Sequence, residues 1–404
     1  MQVQIDDGLR SWVRELRRWF HRHPEPSFEE THTQDKVCDE LAGLGIEYRR
    51  AGGTGVTADI KGRAGGPVIA LRTDMDALRI NEAKTALNQE YRSEDEGVMH
   101  ACGHDGHMAM VLGAARWLQE HRAELGGNVR LIFQPAEEVP PGGALPMIAD
   151  GCLDGVDAII AVHVFGNMPS GHIGFRSGPF MATSRTFRVT VLGKPGHHMN
   201  PHENVDPIQV ACRFVASLQG DIRQRLAPEA VWVLGFGEIN GGMQHNQTPS
   251  EARVVGTFRT FDEGVSQAIS DQIRATLDGL VRAAAKPGIP GLPSYEYEVD
   301  PSYPALINDP AFTRRAAEVL RQHFPDVDDA MPPNLGAEDF ACYLQKVPGM
   351  FIFLGCANPG RGIDAMNHSD RFDIDESALG KGVGALVTLA TDFLADPKSY
   401  LDRR

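Results

Sequence analysis

The chain has 404 residues, 42% of them hydrophobic and 23% charged. This is an ordinary composition for a soluble globular protein, and the length is enough for two or three domains. The formal net charge of −15 argues against nucleic acid and anionic membrane as partners, and leaves any anionic substrate to local arginine, histidine or metal.

Six cysteines (Cys38, Cys102, Cys152, Cys212, Cys342 and Cys356) follow no framework spacing and read as cytosolic thiols. The expected location is therefore the cytoplasm. The N-terminal stretch reads as an amphipathic helix with Leu9, Trp12, Val13, Leu16 and Phe20 on one face, not as a signal peptide. No apolar run is expected to approach the roughly 18 residues that a membrane span needs.

That first helix is expected to stop at His21-Arg22-His23-Pro24, and a second, over 31–44, to close at Gly45. A strand over 68–71 runs into Arg72-Thr73-Asp74-Met75-Asp76. Next comes His100-Ala101-Cys102-Gly103-His104-Asp105-Gly106-His107, a loop feeding a helix over 108–121. A strand over 129–133 runs into Gln134-Pro135-Ala136-Glu137-Glu138, followed by a Pro-Gly loop over 140–144. A strand over 158–162 ends in His163. Alternating strands and helices to about residue 180 predict a doubly wound α/β sheet, whose ligands bind at the C-terminal ends of its strands.

The middle of the chain changes character. Strands over 186–192, 231–236, 252–261 and 295–299, with helices over 206–222 and 264–285, give the order β-α-β-β-α-β of a ferredoxin-like unit. Residues 183–301 are thus expected to be an inserted α+β domain. Residues 1–182 and 302–404 form the catalytic domain, to which a strand over 350–354 returns.

Thiolate and imidazole are transition-metal ligands, and Cys102 and His104 are close enough to serve one ion. Taken alone, Cys-x-His equally fits a structural pair. Glu137 and Glu138 at a strand end suit two jobs: one ligates, and the other takes a proton from metal-held water. They equally suit a solvated turn. Glu137 is the candidate general base. Asp74 and Asp76 either orient ligands or cap a turn, and His107 either supports a ligand or caps its own helix.

These motifs, together with His21-Arg22-His23-Pro24-Glu25-Pro26 and Asn367-His368-Ser369, resemble the N-acyl-amino-acid amidohydrolase family of dinuclear metallopeptidases. That family includes hippurate hydrolases, aminoacylase-like enzymes and hydrolases of auxin–amino acid conjugates. The resemblance implies metal ligands at Cys102, His104, Glu138, His163 and His368, with Cys102 between two ions. It implies that the inserted domain is a lid and dimerisation surface, making a homodimer with a tetramer as the alternative. It places His197 where a histidine polarises the scissile carbonyl in the partner subunit's site, and Asn246 on the same surface. Arg259, on a strand, is the candidate for binding a substrate carboxylate, against a solvated strand face. The metals expected are Mn2+ or Zn2+, although the mixed donors also suit Co2+ or Ni2+.

The chain departs from the family's pattern at Arg185, Pro195, His198, Met199, Gln247, Thr248, Asn367 and Asp370. The expected reaction is two-metal hydrolysis of an N-acyl amino acid, the acyl group being aromatic or small by resemblance. The alternatives are hydrolytic deamination of an aryl amine at the same centre, and a binding protein that has kept the fold but lost turnover.

Overall fold

The computed structural model describes residues 3–300 and 303–401, so the boundary expected at 301/302 lies outside the described residues. The chain forms two compact units. The first comprises the chain up to Phe180 with Leu306–Pro333 and the chain from Glu338, and the second comprises Met181–Ala305 with Asn334–Ala337.

In the first unit, α1 (Asp7–Arg22) starts where the Asp6 carboxylate accepts the Leu9 N–H at 2.7 Å, and it buries Leu9, Val13, Leu16 and Phe20. Helix α2 (Thr31–Gly43) closes at Gly45, whose φ of +68° is the left-handed turn that glycine adopts without strain. Then follow β1 (Glu47–Ala51), β2 (Gly55–Ile60), β3 (Val68–Asp74), α3 (His104–Glu120), β4 (Asn128–Gln134), α4 (Ala144–Ala149), β5 (Ala158–Pro169), β6 (Ile173–Gly174) and β7 (Gly178–Met181). Strict alternation is broken at β1–β2, an antiparallel hairpin.

The second unit holds β8 (Thr183–Leu192), β9 (Gly196–His197), α5 (Pro207–Arg225), β10 (Trp232–Gly241), β11 (Gln247–Thr248), β12 (Glu251–Thr260), α6 (Glu263–Ala284) and β13 (Ser294–Val299). The chain returns to the first unit with β14 (Leu306–Asn308), α7 (Pro310–His323), β15 (Val327–Asp328), α8 (Ala341–Leu344), β16 (Gly349–Ala357) and α9 (Leu379–Ala395).

The first unit is α/β. Its eight-stranded sheet has the order β1-β2-β4-β3-β5-β16-β6-β15, with a parallel centre β4-β3-β5-β16 and antiparallel partners β2 and β6 on either side. The parallel strands are mainly apolar, as a sheet covered by helices requires, with Arg72 and Asp74 of β3, Gln134 of β4 and His163 of β5 as buried polar exceptions. Helices α1, α3 and α9 pack together against it. Residues Glu376–Ala395 are, by length and composition, apolar enough to cross a membrane, which corrects the expectation that no stretch is. The composition reflects burial, since 72% of that window lies inside the fold.

Two elements differ from expectation in ways that matter for the site. Strand β5 does not end before His163 but continues to Pro169, because β16 pairs with it through Phe353 opposite His163 and Leu354 opposite Val164. Helix α3 starts at His104, four residues early, because Gly103 takes φ +93° at its N-cap. A Cβ on Gly103 would also meet Val164 Cγ2 at 2.3 Å.

In the second unit an antiparallel sheet, β10-β12-β8-β13, packs with α5 and α6 around Phe187, Phe214, Phe258, Ile269 and Leu277. Asp206 and Asp262 cap the two helices through the Ile208 and Val265 N–H groups. Residues Asn334–Ala337 join this unit by accepting the Ala182 N–H at Asn334 and Gly336.

Candidate metal centre

The first unit brings Cys102, His104, Glu138, His163 and His368 together. Two donor triads, Cys102–His104–His163 and Cys102–Glu138–His368, each lie within 4.8 Å and share the Cys102 sulfur. The closest approaches are Cys102 Sγ to His163 Nε2 at 3.4 Å, Glu138 Oε1 to His368 Nε2 at 3.3 Å, and Glu138 Oε1 to His104 Nε2 at 3.8 Å. Ligands about 2.0–2.3 Å from a tetrahedral ion lie roughly 3.3–3.8 Å from one another.

Two of the imidazoles are oriented by a partner behind them. His104 Nδ1 donates to the Asp76 carbonyl at 2.8 Å, and His163 Nδ1 to the Val164 carbonyl at 2.7 Å. In both rings this leaves Nε2 facing the cluster. Burial lowers His104, but Asp74 and Asp76 outweigh it and raise the imidazole to about 10, so its Nε2 proton must leave before it can ligate. His104 Nε2 is buried without a hydrogen-bond partner among the described residues. Asp76 Oδ1 accepts the Glu137 N–H and Oδ2 the Glu138 N–H, both at 3.0 Å. One carboxylate thus sets the backbone of the glutamate pair. The chain enters that pair through Ala136, which sits at φ +51° with its N–H donated to Glu30 Oε1 at 2.8 Å.

His368 has φ +69°, and its backbone N–H reaches the Ala101 carbonyl at 2.7 Å. Beside it, Asn367 accepts the Gly166 N–H and donates to the Cys102 and Val164 carbonyls. One amide therefore ties together the three segments carrying Cys102, His163 and His368. His107 is fully used: Nδ1 donates to Asp74 Oδ1 at 2.7 Å, and Nε2 accepts the Val164 N–H at 2.8 Å. Of its two expected roles, it braces the strand that carries His163.

The donor set fits divalent cations. Burial pushes the Cys102 thiol well up, and Glu138, Glu137 and Asp74 push it further, so a thiolate here calls for positive charge. Burial, then His107 and His104, holds His163 well below the ordinary range, which keeps its imidazole neutral as a ligand must be.

Glu137 is buried and lies within 4.8 Å of Glu338 and Asp339, a pair the sequence analysis did not single out. Burial raises Glu137 well above the carboxylate range, and Glu338, Glu138 and Asp339 raise it further. The charge is balanced by Arg72, buried in β3, which donates to Asp74 at 2.8 Å, Glu338 at 3.0 Å, Asp339 at 2.9 Å and Gln134 at 2.9 Å. Gln134 also donates to both Asp339 oxygens. An arginine inside an apolar strand is the signal for such a partner, since a buried cation needs counter-charge.

His197, Asn246 and Arg259 lie in the second unit. His197 is exposed in the small β9–β11 ladder and Asn246 is exposed just before it; His197 Nδ1 accepts the Met199 N–H at 3.1 Å and the Asn246 carbonyl accepts the His198 N–H at 3.1 Å. Arg259, half-buried, donates to the Leu335 carbonyl at 2.7 Å. Arg185 pairs with Glu263 at 3.0 Å, so this departure serves contacts within its own unit.

Residues 70–392 match the model of peptidase family M20/M25/M40. The chain is 38% identical over 388 residues to thermostable carboxypeptidase 2 of Saccharolobus solfataricus, covering 95% of this chain and 96% of that one. It is 36% identical over 394 residues to N-acetylcysteine deacetylase of Bacillus subtilis, covering 97% of each. The crystal structure of Bacillus subtilis YXEP, titled a dinuclear metal binding peptidase from the M20 family, superposes with a TM-score of 0.83 at 34% identity, covering 97% of this chain and all of that one.

Proposed function

We propose that this chain, which belongs to peptidase family M20/M25/M40 and is a hydrolase, cleaves the amide bond of small N-acyl amino acids to a carboxylic acid and an amino acid. The observation that carries this reading is the pair of donor triads sharing Cys102, with a buried second glutamate beside them. Cys102, His104, Glu138, His163 and His368 would hold two divalent ions, manganese or zinc, with Cys102 between them. When bound, such ions acidify water and polarise a carbonyl.

The chain's own residues do the rest. Glu137 accepts the proton of the attacking water at a carboxylate oxygen and delivers it to the departing amine nitrogen. Asp76 keeps Glu137 and Glu138 in separate roles by holding the two backbone N–H groups between them on separate oxygens. His107 and Asp74 brace the His163 strand. His197 polarises the scissile carbonyl in a partner subunit's site, Asn246 contacts the substrate on the same surface, and Arg259 receives its carboxylate. In this reading residues 183–301 form the lid and dimerisation domain of a cytoplasmic homodimer, and 1–182 with 302–404 form the catalytic domain.

The test is product analysis on enzyme reconstituted with Mn2+ or Zn2+, using N-acyl amino acids, dipeptides and aryl amines. Release of amino acid is the expected outcome. Release of ammonia alone would overturn the amide reading in favour of deamination.

A further inference from the structure

Two residues beyond His163 on β5, Phe165 stands in a chain of aromatic contacts that the reaction above does not use. In an extended strand, residues two apart face the same side, so Phe165 shares the side of its strand with a candidate metal ligand. Its ring stacks on Phe353, with centroids 4.5 Å apart and planes inclined by 6°. Phe353 in turn packs on Phe180 at 4.7 Å and lies 6.1 Å from the His163 ring. Phe353 and Phe180 are fully buried, whereas Phe165 is only half-buried. In the β5–β16 ladder the residue opposite Phe165 is Gly355, which contributes no side chain to cover it.

The result is a flat, partly bare ring beside the ligand cluster, backed by two buried rings. An N-acyl amino acid has a charged end, the carboxylate, and an uncharged end, the acyl group. Placing a carboxylate against stacked phenylalanines would strip its water without supplying a hydrogen bond. Placing a flat acyl group there gains stacking and buried apolar area. From this we propose that Phe165 is a specificity-determining residue, whose ring receives the substrate's acyl group and selects flat, apolar acyl groups over acetyl. The inference rests on the amide-hydrolase reading and adds to it which end of the substrate lies against β5.

The experiment compares N-benzoylglycine, N-acetylglycine and N-acetylphenylalanine as substrates of the metal-reconstituted enzyme, in the wild type and in Phe165→Ala and Phe165→Trp. Wild-type enzyme should favour N-benzoylglycine over N-acetylglycine in kcat/KM. Phe165→Ala should lower that ratio about ten-fold, mainly through KM, and Phe165→Trp should restore it. Metal content and Tm are measured for each variant. An unchanged ratio, or equal losses on both glycine substrates, would overturn the inference. So would a loss confined to N-acetylphenylalanine, which would put the amino-acid side chain against Phe165. If wild-type enzyme hydrolyses none of the three, the amide reading itself fails and the inference falls with it. Hydrolysis with an unaltered preference removes the inference alone.

Discussion

The candidate residues of the two units are held to different standards. In the first unit the buried imidazoles near Cys102 are fixed from behind, His104 by the Asp76 carbonyl and His163 by the Val164 carbonyl, and Asp76 holds the backbone of the glutamate pair; His368 is the exception, an exposed ring set against Glu138. In the second unit His197 and Asn246 stand exposed, fixed mainly through backbone contacts in and beside a two-residue ladder. A preorganised centre keeps its ligand geometry whether or not substrate is present, whereas an exposed histidine takes its role from the group set against it. The first unit should therefore govern metal binding and proton transfer, and the second should govern turnover without touching metal content.

The sharpest way to break this contrast is Glu137→Gln. It should lower kcat by at least about 100-fold, the lower end of a general base's contribution, with metal content near normal by elemental analysis. Near-wild-type turnover would remove Glu137 from the mechanism. His197→Ala should lower kcat by about 100-fold, the cost of losing one electrophilic donor, again at unchanged metal content. Mixing these two variants should restore part of the activity if the site is shared between subunits, and no recovery in verified mixed dimers would remove the sharing. Asp76→Asn replaces one of the two oxygens holding the glutamate N–H groups with a donor, so metal affinity should fall about 10- to 100-fold in a chelator competition. Affinity equal to wild type would mean that the glutamates hold their places unaided. The smallest effect is expected for Asn367→Leu, which unties three segments and should cost about 1–2 kcal/mol in denaturant unfolding.

Much of the site was legible because several donors are chemically conspicuous: a Cys-x-His before a helix, paired glutamates after an apolar strand, and His163 at a strand end; His368 was legible only through the family resemblance. The ferredoxin-like order of the second unit was legible from strand and helix periodicity. What stayed hidden depends on contacts between distant segments. Glu338 and Asp339 look like an ordinary acidic pair before a short helix until Arg72 is found buried against them. Asn367 looked like an anomaly beside His368, and only the fold shows it spanning Cys102, Val164 and Gly166. The extent of β5 past His163 was invisible because its partner, β16, lies far along the chain. Single-sequence periodicity sees a strand's own residues, not the strand that pairs with it.

The order in which the donors occur along the chain also sets a timetable for synthesis. Cys102, His104, Glu138 and His163 leave the ribosome first, and roughly 200 residues follow before His368, a delay of about 10–40 s at ordinary elongation rates. Glu338, Asp339 and the β16 partner of the His163 strand arrive late as well. A nascent chain therefore carries one complete donor triad, Cys102–His104–His163, long before the other, Cys102–Glu138–His368, can close. The second donor triad cannot come together until the last part of the chain has folded back.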